Sequence, residues 1–139
     1  MKIECIDHVA IQVSDLGKAI GLFSDLFGMK FTEPKSLPDL DSVCTMESNG
    51  IEFVAPYSPN GPTSRSIKKR GEGLSVLSLK VANLDEAVAH MEVHGVKPVV
   101  RFNNDDKLKG AVFNPADICG VMVELVEYEK KHPIVAAQE

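Results

Sequence analysis

His8-Val9-Ala10-Ile11-Gln12-Val13-Ser14-Asp15-Leu16-Gly17-Lys18-Ala19-Ile20 decides the fold, because residues 76–88 repeat it. The second copy reads Val76-Leu77-Ser78-Leu79-Lys80-Val81-Ala82-Asn83-Leu84-Asp85-Glu86-Ala87-Val88. With Val13 laid over Val81, Leu16 falls on Leu84, Ala19 on Ala87 and Ile20 on Val88. In the first copy Val9, Ile11 and Val13 alternate with His8, Ala10 and Gln12, the two-residue period of a strand with one buried face. Leu16, Ala19, Ile20, Phe23, Leu26 and Phe27 then recur at helical spacing as far as Gly28, a C′ glycine. Ser14 sits where an N-cap belongs, and Asp15 puts negative charge at the positive end of the helix dipole. In the second copy Asn83 is the cap, Leu84, Ala87, Val88 and Met91 form the buried stripe, and Gly95 closes the helix.

Each copy leads into more strands. After the first helix, residues 29–32 read as a strand ending at Pro34, and residues 35–41 as a loop rich in proline and aspartate. Residues 43–46 and 51–55 form a hairpin turned at Ser48-Asn49-Gly50. After the second helix, strands over residues 96–102, 111–113 and 120–128 follow, separated by a polar loop and by Asn114-Pro115-Ala116-Asp117. Ile51-Glu52-Phe53-Val54 falls on Val123-Glu124-Leu125-Val126, so the closing strands repeat as well. A period near 70 residues is too long for a solenoid unit and points to duplication within one domain. The expectation is one α+β domain over residues 1–139: a module over 3–56, a connector over 57–72 with a short helix at 63–69, a module over 73–128, and a C-terminal tail.

Composition narrows the function classes. With 139 residues, 44% hydrophobic and 25% charged, the chain can bury a sizeable core. Its net charge of −5 gives no general attraction to nucleic acid or to an anionic membrane. No apolar run approaches the roughly 20 residues of a membrane span, and no signal-peptide pattern opens the chain. A cytoplasmic protein is expected. Cys5, Cys44 and Cys119 are far apart and form no CxxC pair, so buried, reduced thiols are expected.

Superposing the halves makes His8 equivalent to Val76 and Glu52 equivalent to Glu124. One glutamate between apolar strand neighbours is ordinary on a solvated sheet face. Two at repeat-equivalent positions, together with a strand histidine, are a stronger signal. His90 and His94, spaced i, i+4, read as surface histidines at a helix C-terminus, and His132 in the charged tail is assigned no role.

Four stretches carry a resemblance: Asp7 to Leu16, Glu52-Phe53-Val54-Ala55-Pro56, Lys69-Arg70-Gly71-Glu72-Gly73-Leu74, and Phe113-Asn114-Pro115 through Gly120 to Glu127. Together they resemble the vicinal oxygen chelate superfamily, which includes the glyoxalases, the bleomycin resistance proteins and the extradiol dioxygenases. The similarity is greatest to its methylmalonyl-CoA epimerase-like members. The resemblance implies two βαβββ modules forming curved sheets around a central pocket with a divalent-metal site. It places metal ligands on His8, Glu52 and Glu124, and leaves Val76 where a further histidine ligand is expected. The remaining nitrogen and oxygen donors suit zinc, cobalt, nickel or manganese; loss of the fourth ligand is expected to weaken binding, or to leave a polar pocket without metal.

The implied chemistry is proton transfer next to a carbonyl or thioester, as in an isomerase or lyase. Glu52 and Glu124 are the catalytic candidates, and Asp39 is the nearest match to a further base. Lys68, Lys69 and Arg70, with Arg65, form a local basic cluster suited to the phosphates of an acyl-CoA. The alternative is a non-catalytic small-molecule binding protein of the bleomycin-resistance type. A homodimer is expected, because Leu22, Phe23, Leu26 and Phe27 cover a broader arc than one buried stripe.

Overall fold

A computed structural model describes residues 1–129; the tail from residue 130, His132 included, lies outside the described residues. The order is β1 (Ile3–Gln12), α1 (Leu16–Phe27), β2 (Lys35–Leu37), β3 (Ser42–Met46), β4 (Ile51–Pro56), α2 (Pro62–Arg70), β5 (Gly73–Val81), α3 (Leu84–Val93), β6 (Pro98–Asn104), β7 (Leu108–Phe113) and β8 (Val123–Glu127). This is an α+β chain in which β-α-β-β-β occurs twice, with α2 between the copies. Among the described residues, no helix is long and apolar enough to cross a membrane.

Contacts divide the chain into two compact units. The first, Val9–Ser75, carries strands in the order β2-β3-β4-β1, with β1 and β4 parallel and the other pairs antiparallel. The second joins Met1–His8 to the described residues from Val76 to 129 and carries the order β5-β8-β7-β6, with β5 and β8 parallel. The division runs through β1 and β5 and assigns α2 to the first unit, so it differs from the module boundaries drawn on the repeat. The registers nevertheless repeat residue for residue. Val9 pairs with Ile51 and Ala10 with Glu52; Leu77 pairs with Val123 and Ser78 with Glu124.

The cores repeat less evenly. In the second unit Val81, Leu84, Ala87, Val88, Ala111, Phe113, Val123 and Leu125 are all buried. In the first, Val13, Phe53 and Ala55 are buried, while Leu16, Ala19, Ile20 and Phe23 pack against them only partly covered. Leu26 and Phe27 leave the expected stripe and are exposed. Phe27 touches Phe23 edge-on with ring centroids 5.2 Å apart. Gly28, in the left-handed region, ends α1 as its sequence position implies.

Several local expectations are corrected. The cap of α1 is Asp15, whose carboxylate accepts from the Lys18 N–H. The Ser14 N–H is instead taken by the Glu72 carboxylate, 2.8 Å away. Residues 29–32 form no strand; only Phe31 bridges to Glu47. The Thr32 N–H donates to the Met46 carbonyl, but the Met46 N–H returns to the Thr32 hydroxyl, so a side chain takes half of the exchange a ladder would make. The edge strand lies in the expected loop, at Lys35–Leu37, bracketed by Pro34 and Pro38. Cys44 is buried, but Cys5 and Cys119 are exposed. Cys5 falls on the uncovered first turns of β1, and Cys119 sits in a left-handed turn (φ 53°) before β8.

The helix α2 is held within its unit through Gln12. At its C-terminus, Gln12 donates through Nε2 to the Gly71 carbonyl and accepts from the Ser66 hydroxyl, both at 2.8 Å. In the turn that precedes it, Asp41 Oδ1 accepts from the Ser58 N–H and hydroxyl, while Oδ2 lies buried against Gly61. A Cβ at position 61 would stand 1.5 Å from that oxygen, which is why glycine occurs there.

Candidate active site

His8 is brought to Glu124 inside the second unit. His8 is the last residue of β1 assigned to that unit, and Glu124 is the second residue of β8. His8 Nε2 lies 3.6 Å from Glu124 Oε1, and the two side chains are 4% and 17% exposed. The register that pairs Ser78 with Glu124 puts a hydroxyl beside the carboxylate, and Ser78 Oγ donates to Oε1 at 2.8 Å. Ser78 is fully buried, so this hydroxyl satisfies the carboxylate where water does not reach.

Burial pushes the Glu124 carboxyl above the ordinary carboxylate range; His8 when protonated and the Ser78 hydroxyl oppose that shift, and Asp7 adds to it. A carboxylate so placed is a stronger proton acceptor than a solvated one. On its other side, His8 Nδ1 lies 2.6 Å from Asp7 Oδ2, and the Asp7 side chain is as buried as the ring. Asp7 Oδ1 accepts a short hydrogen bond from the Tyr128 hydroxyl. Lys80 stands over the Tyr128 ring with Nζ 4.2 Å from its centroid, and the same ammonium lies 3.6 Å from Glu4.

Of the other candidates, Val76 lies on β5 in the same unit, one residue before the first β5–β8 pair. Glu52 belongs to the first unit, half-buried on β4 and paired in register with Ala10 and Met46. Lys68, Lys69 and Arg70 are exposed in the last turn of α2, where positive charge complements the helix dipole. Arg65, on the same helix, donates to the Asn60 carbonyl. Asp39 falls in the 3-10 turn Pro38–Leu40. His90 and His94 are exposed at the C-terminus of α3, with rings 4.7 Å apart.

Sequence reasoning missed Asp7, Ser78, Lys80 and Tyr128. The repeat held the signal for Ser78: Ser78 is the counterpart of Ala10 in the opening strands and Glu124 that of Glu52 in the closing ones, so the pairing of Ala10 with Glu52 is repeated by Ser78 with Glu124. Tyr128 carries no such signal; only the fold returns it to Asp7.

Among the described residues, no group of three or more His, Cys, Asp or Glu is gathered to hold a metal ion. His8 Nε2 and Glu124 Oε1 do fit as a donor pair. One divalent ion with bonds of about 2.0–2.2 Å spans their separation, and the Asp7 carboxylate behind the imidazole is the usual outer partner of a metal-binding histidine.

A family model described as Glyoxalase/Bleomycin resistance protein/Dioxygenase superfamily matches residues 7–113. The chain is 26% identical over 130 residues to the mitochondrial methylmalonyl-CoA epimerase of Bos taurus, covering 86% of this chain and 72% of that one. It is 27% identical over 124 residues to an uncharacterized protein of Escherichia coli, covering 88% and 95%. A crystal structure of methylmalonyl-CoA epimerase from Mycobacterium tuberculosis matches with a TM-score of 0.83 at 27% identity, covering 97% of this chain and 93% of that one. A Streptomyces coelicolor methylmalonyl-CoA epimerase in complex with 2-nitronate-propionyl-CoA matches with a TM-score of 0.84 at 19% identity, covering 93% and 100%, a likeness of fold.

Proposed function

Because the chain belongs to the glyoxalase/bleomycin resistance protein/dioxygenase superfamily, we propose that it is an isomerase or lyase moving a proton at the carbon next to a carbonyl or thioester. The observation that carries this reading is Glu124: a largely buried carboxylate of raised basicity, held by Ser78 and facing His8. Glu124 takes the proton from the substrate carbon, and the Ser78 hydroxyl fixes the direction of the accepting carboxylate. Glu52, its repeat counterpart, is proposed as the second base and as a further ligand on the sequence repeat and the family resemblance. His8 and Glu124 would hold a divalent ion, whose chemistry when bound is to polarise the carbonyl oxygen beside that carbon.

The substrate class proposed is an acyl-CoA. The names of the relatives support it, and so does the exposed charge of Lys68, Lys69 and Arg70, which suits CoA phosphates. Val76, standing where the family resemblance expects a histidine, favours a second reading: a binding protein without catalysis. The exposed Leu22, Leu26 and Phe27 of α1 support a homodimer, for which light scattering is expected to give twice the chain mass.

The test is deuterium uptake at the α-carbon of acyl-CoAs in D2O, followed by mass spectrometry on protein purified without chelator. Wild type is expected to exchange that position. Glu124→Gln is expected to slow exchange by about 100-fold or more, the usual contribution of a positioned base. Binding of an acyl-CoA without exchange would assign the second reading.

The same side chain makes a stability prediction. A carboxyl whose folded pKa lies above its unfolded value binds its proton more tightly in the folded state. Its favourable contribution is therefore complete below the ordinary carboxylate range and is lost as pH rises through the raised value. Glu124→Gln is expected to stabilise the fold at pH 7–8 by about 1 kcal/mol, the scale of exchanging activity for stability at a functional site. Melting curves should converge with wild type toward low pH; a pH-independent difference would contradict the assignment.

A further inference from the structure

We infer that Asp7 and Tyr128 are positioning residues that set the tautomer of His8, keeping the proton on Nδ1 and the free lone pair on Nε2 toward Glu124. The inference deepens the proposed active site and rests on His8 acting there through Nε2.

Side chains of consecutive strand residues ordinarily point to opposite faces. The 2.6 Å contact between Asp7 Oδ2 and His8 Nδ1 therefore requires the carboxylate to turn back along β1. Tyr128 meets it there, with its hydroxyl donating into Oδ1. Burial, together with the Asp7 carboxylate, pushes the Tyr128 hydroxyl well above its ordinary range, so it remains a donor at any physiological pH. Lys80 over the ring and Glu4 beside Lys80 seat the tyrosine from its other side.

An ionised carboxylate only accepts hydrogen bonds. With Oδ1 filled by the tyrosine, Oδ2 receives the imidazole Nδ1–H, and the neutral ring must carry its lone pair on Nε2. That nitrogen is the one 3.6 Å from Glu124. A histidine free to swap tautomers would present an N–H there for part of the time and would neither ligate a cation nor accept a proton.

The experiment is a long-range proton–nitrogen correlation spectrum of ring-labelled, metal-free full-length protein, at a pH where His8 is neutral. Wild type, Asp7→Ala and the conservative Tyr128→Phe are compared, with zinc affinity measured in parallel by competition with a chromogenic chelator. Wild type is expected to show the Nδ1–H form alone. Asp7→Ala is expected to show the Nε2–H form and to lose about 10- to 100-fold in zinc affinity, the usual effect of removing a histidine's outer partner. Tyr128→Phe is expected to show both forms and a smaller loss.

A wild-type ring in the Nε2–H form, or an unaltered tautomer in both variants, would overturn the inference even if zinc binds. Absence of zinc binding with the tautomer shifts intact would instead remove the ion from the proposed function and leave the positioning role standing. Melting temperatures identify a variant that has lost its fold; Tyr128→Phe, which deletes a single hydroxyl, then decides the question.

Discussion

Val76→His is expected to raise the affinity for a divalent cation by about 100-fold, equivalent to ~2.7 kcal/mol. Val76 stands one residue before Leu77, which pairs with Val123, just as His8 stands one residue before Val9, which pairs with Ile51. The introduced imidazole would thus enter the unit that already holds His8 and Glu124, at the position equivalent to His8. The gain is large because His8 is already oriented by Asp7 and Glu124 by Ser78, so little further ordering opposes the new bond. Competition with a chromogenic chelator measures it for wild type, Val76→His and Val76→His/His8→Ala. Unchanged affinity in the single variant removes position 76 from the site. Equal gains with and without His8 place the new imidazole on a separate ion.

Phe53→Ala is expected to cost about 4 kcal/mol, within the range for emptying a large buried aromatic site. Phe53 has no exposed surface. Its ring meets Phe23 edge-on at 4.8 Å and stacks on Phe31 at 5.0 Å, so one truncation strips partners from the inner face of α1 and from the segment that follows it. The first unit has few fully buried residues to share the loss. Against a total stability of about 5–15 kcal/mol, this is a large fraction. Phe27→Ala, at an exposed position on the same helix, is expected to change stability by less than about 1 kcal/mol. Urea unfolding of the two variants separates them; near-equal midpoints would mean that the ring cluster does not carry the first unit.

The repeat made the element order legible, because the change from two-residue to helical period occurs at the same point in both copies. Asn83 and Gly28 were readable as caps since their roles depend on a few neighbouring residues. Ser14 was misread because its amide belongs to Glu72, 58 residues away, and no local pattern records that bond. The edge strand at Lys35–Leu37 was hidden for a related reason: three residues between prolines look like a loop until β3 supplies a partner. At the site, His8 and Glu124 were visible as repeat positions, and the structure brings them together. Asp7 was in plain view beside His8 but gave no sign of its role, since strand alternation points it away. Tyr128 was illegible because its meaning is the return of β8 to β1.

The fastening of α2 by Gln12 has a consequence for the basic residues it carries. Nine residues are fewer than the roughly 12 a helix needs to persist alone in water, so α2 depends on tertiary contacts, the bonds of Gln12 to Ser66 and Gly71 among them. Lys68, Lys69 and Arg70 share the last turn of this short segment, so they stand together only while Gln12 keeps it docked.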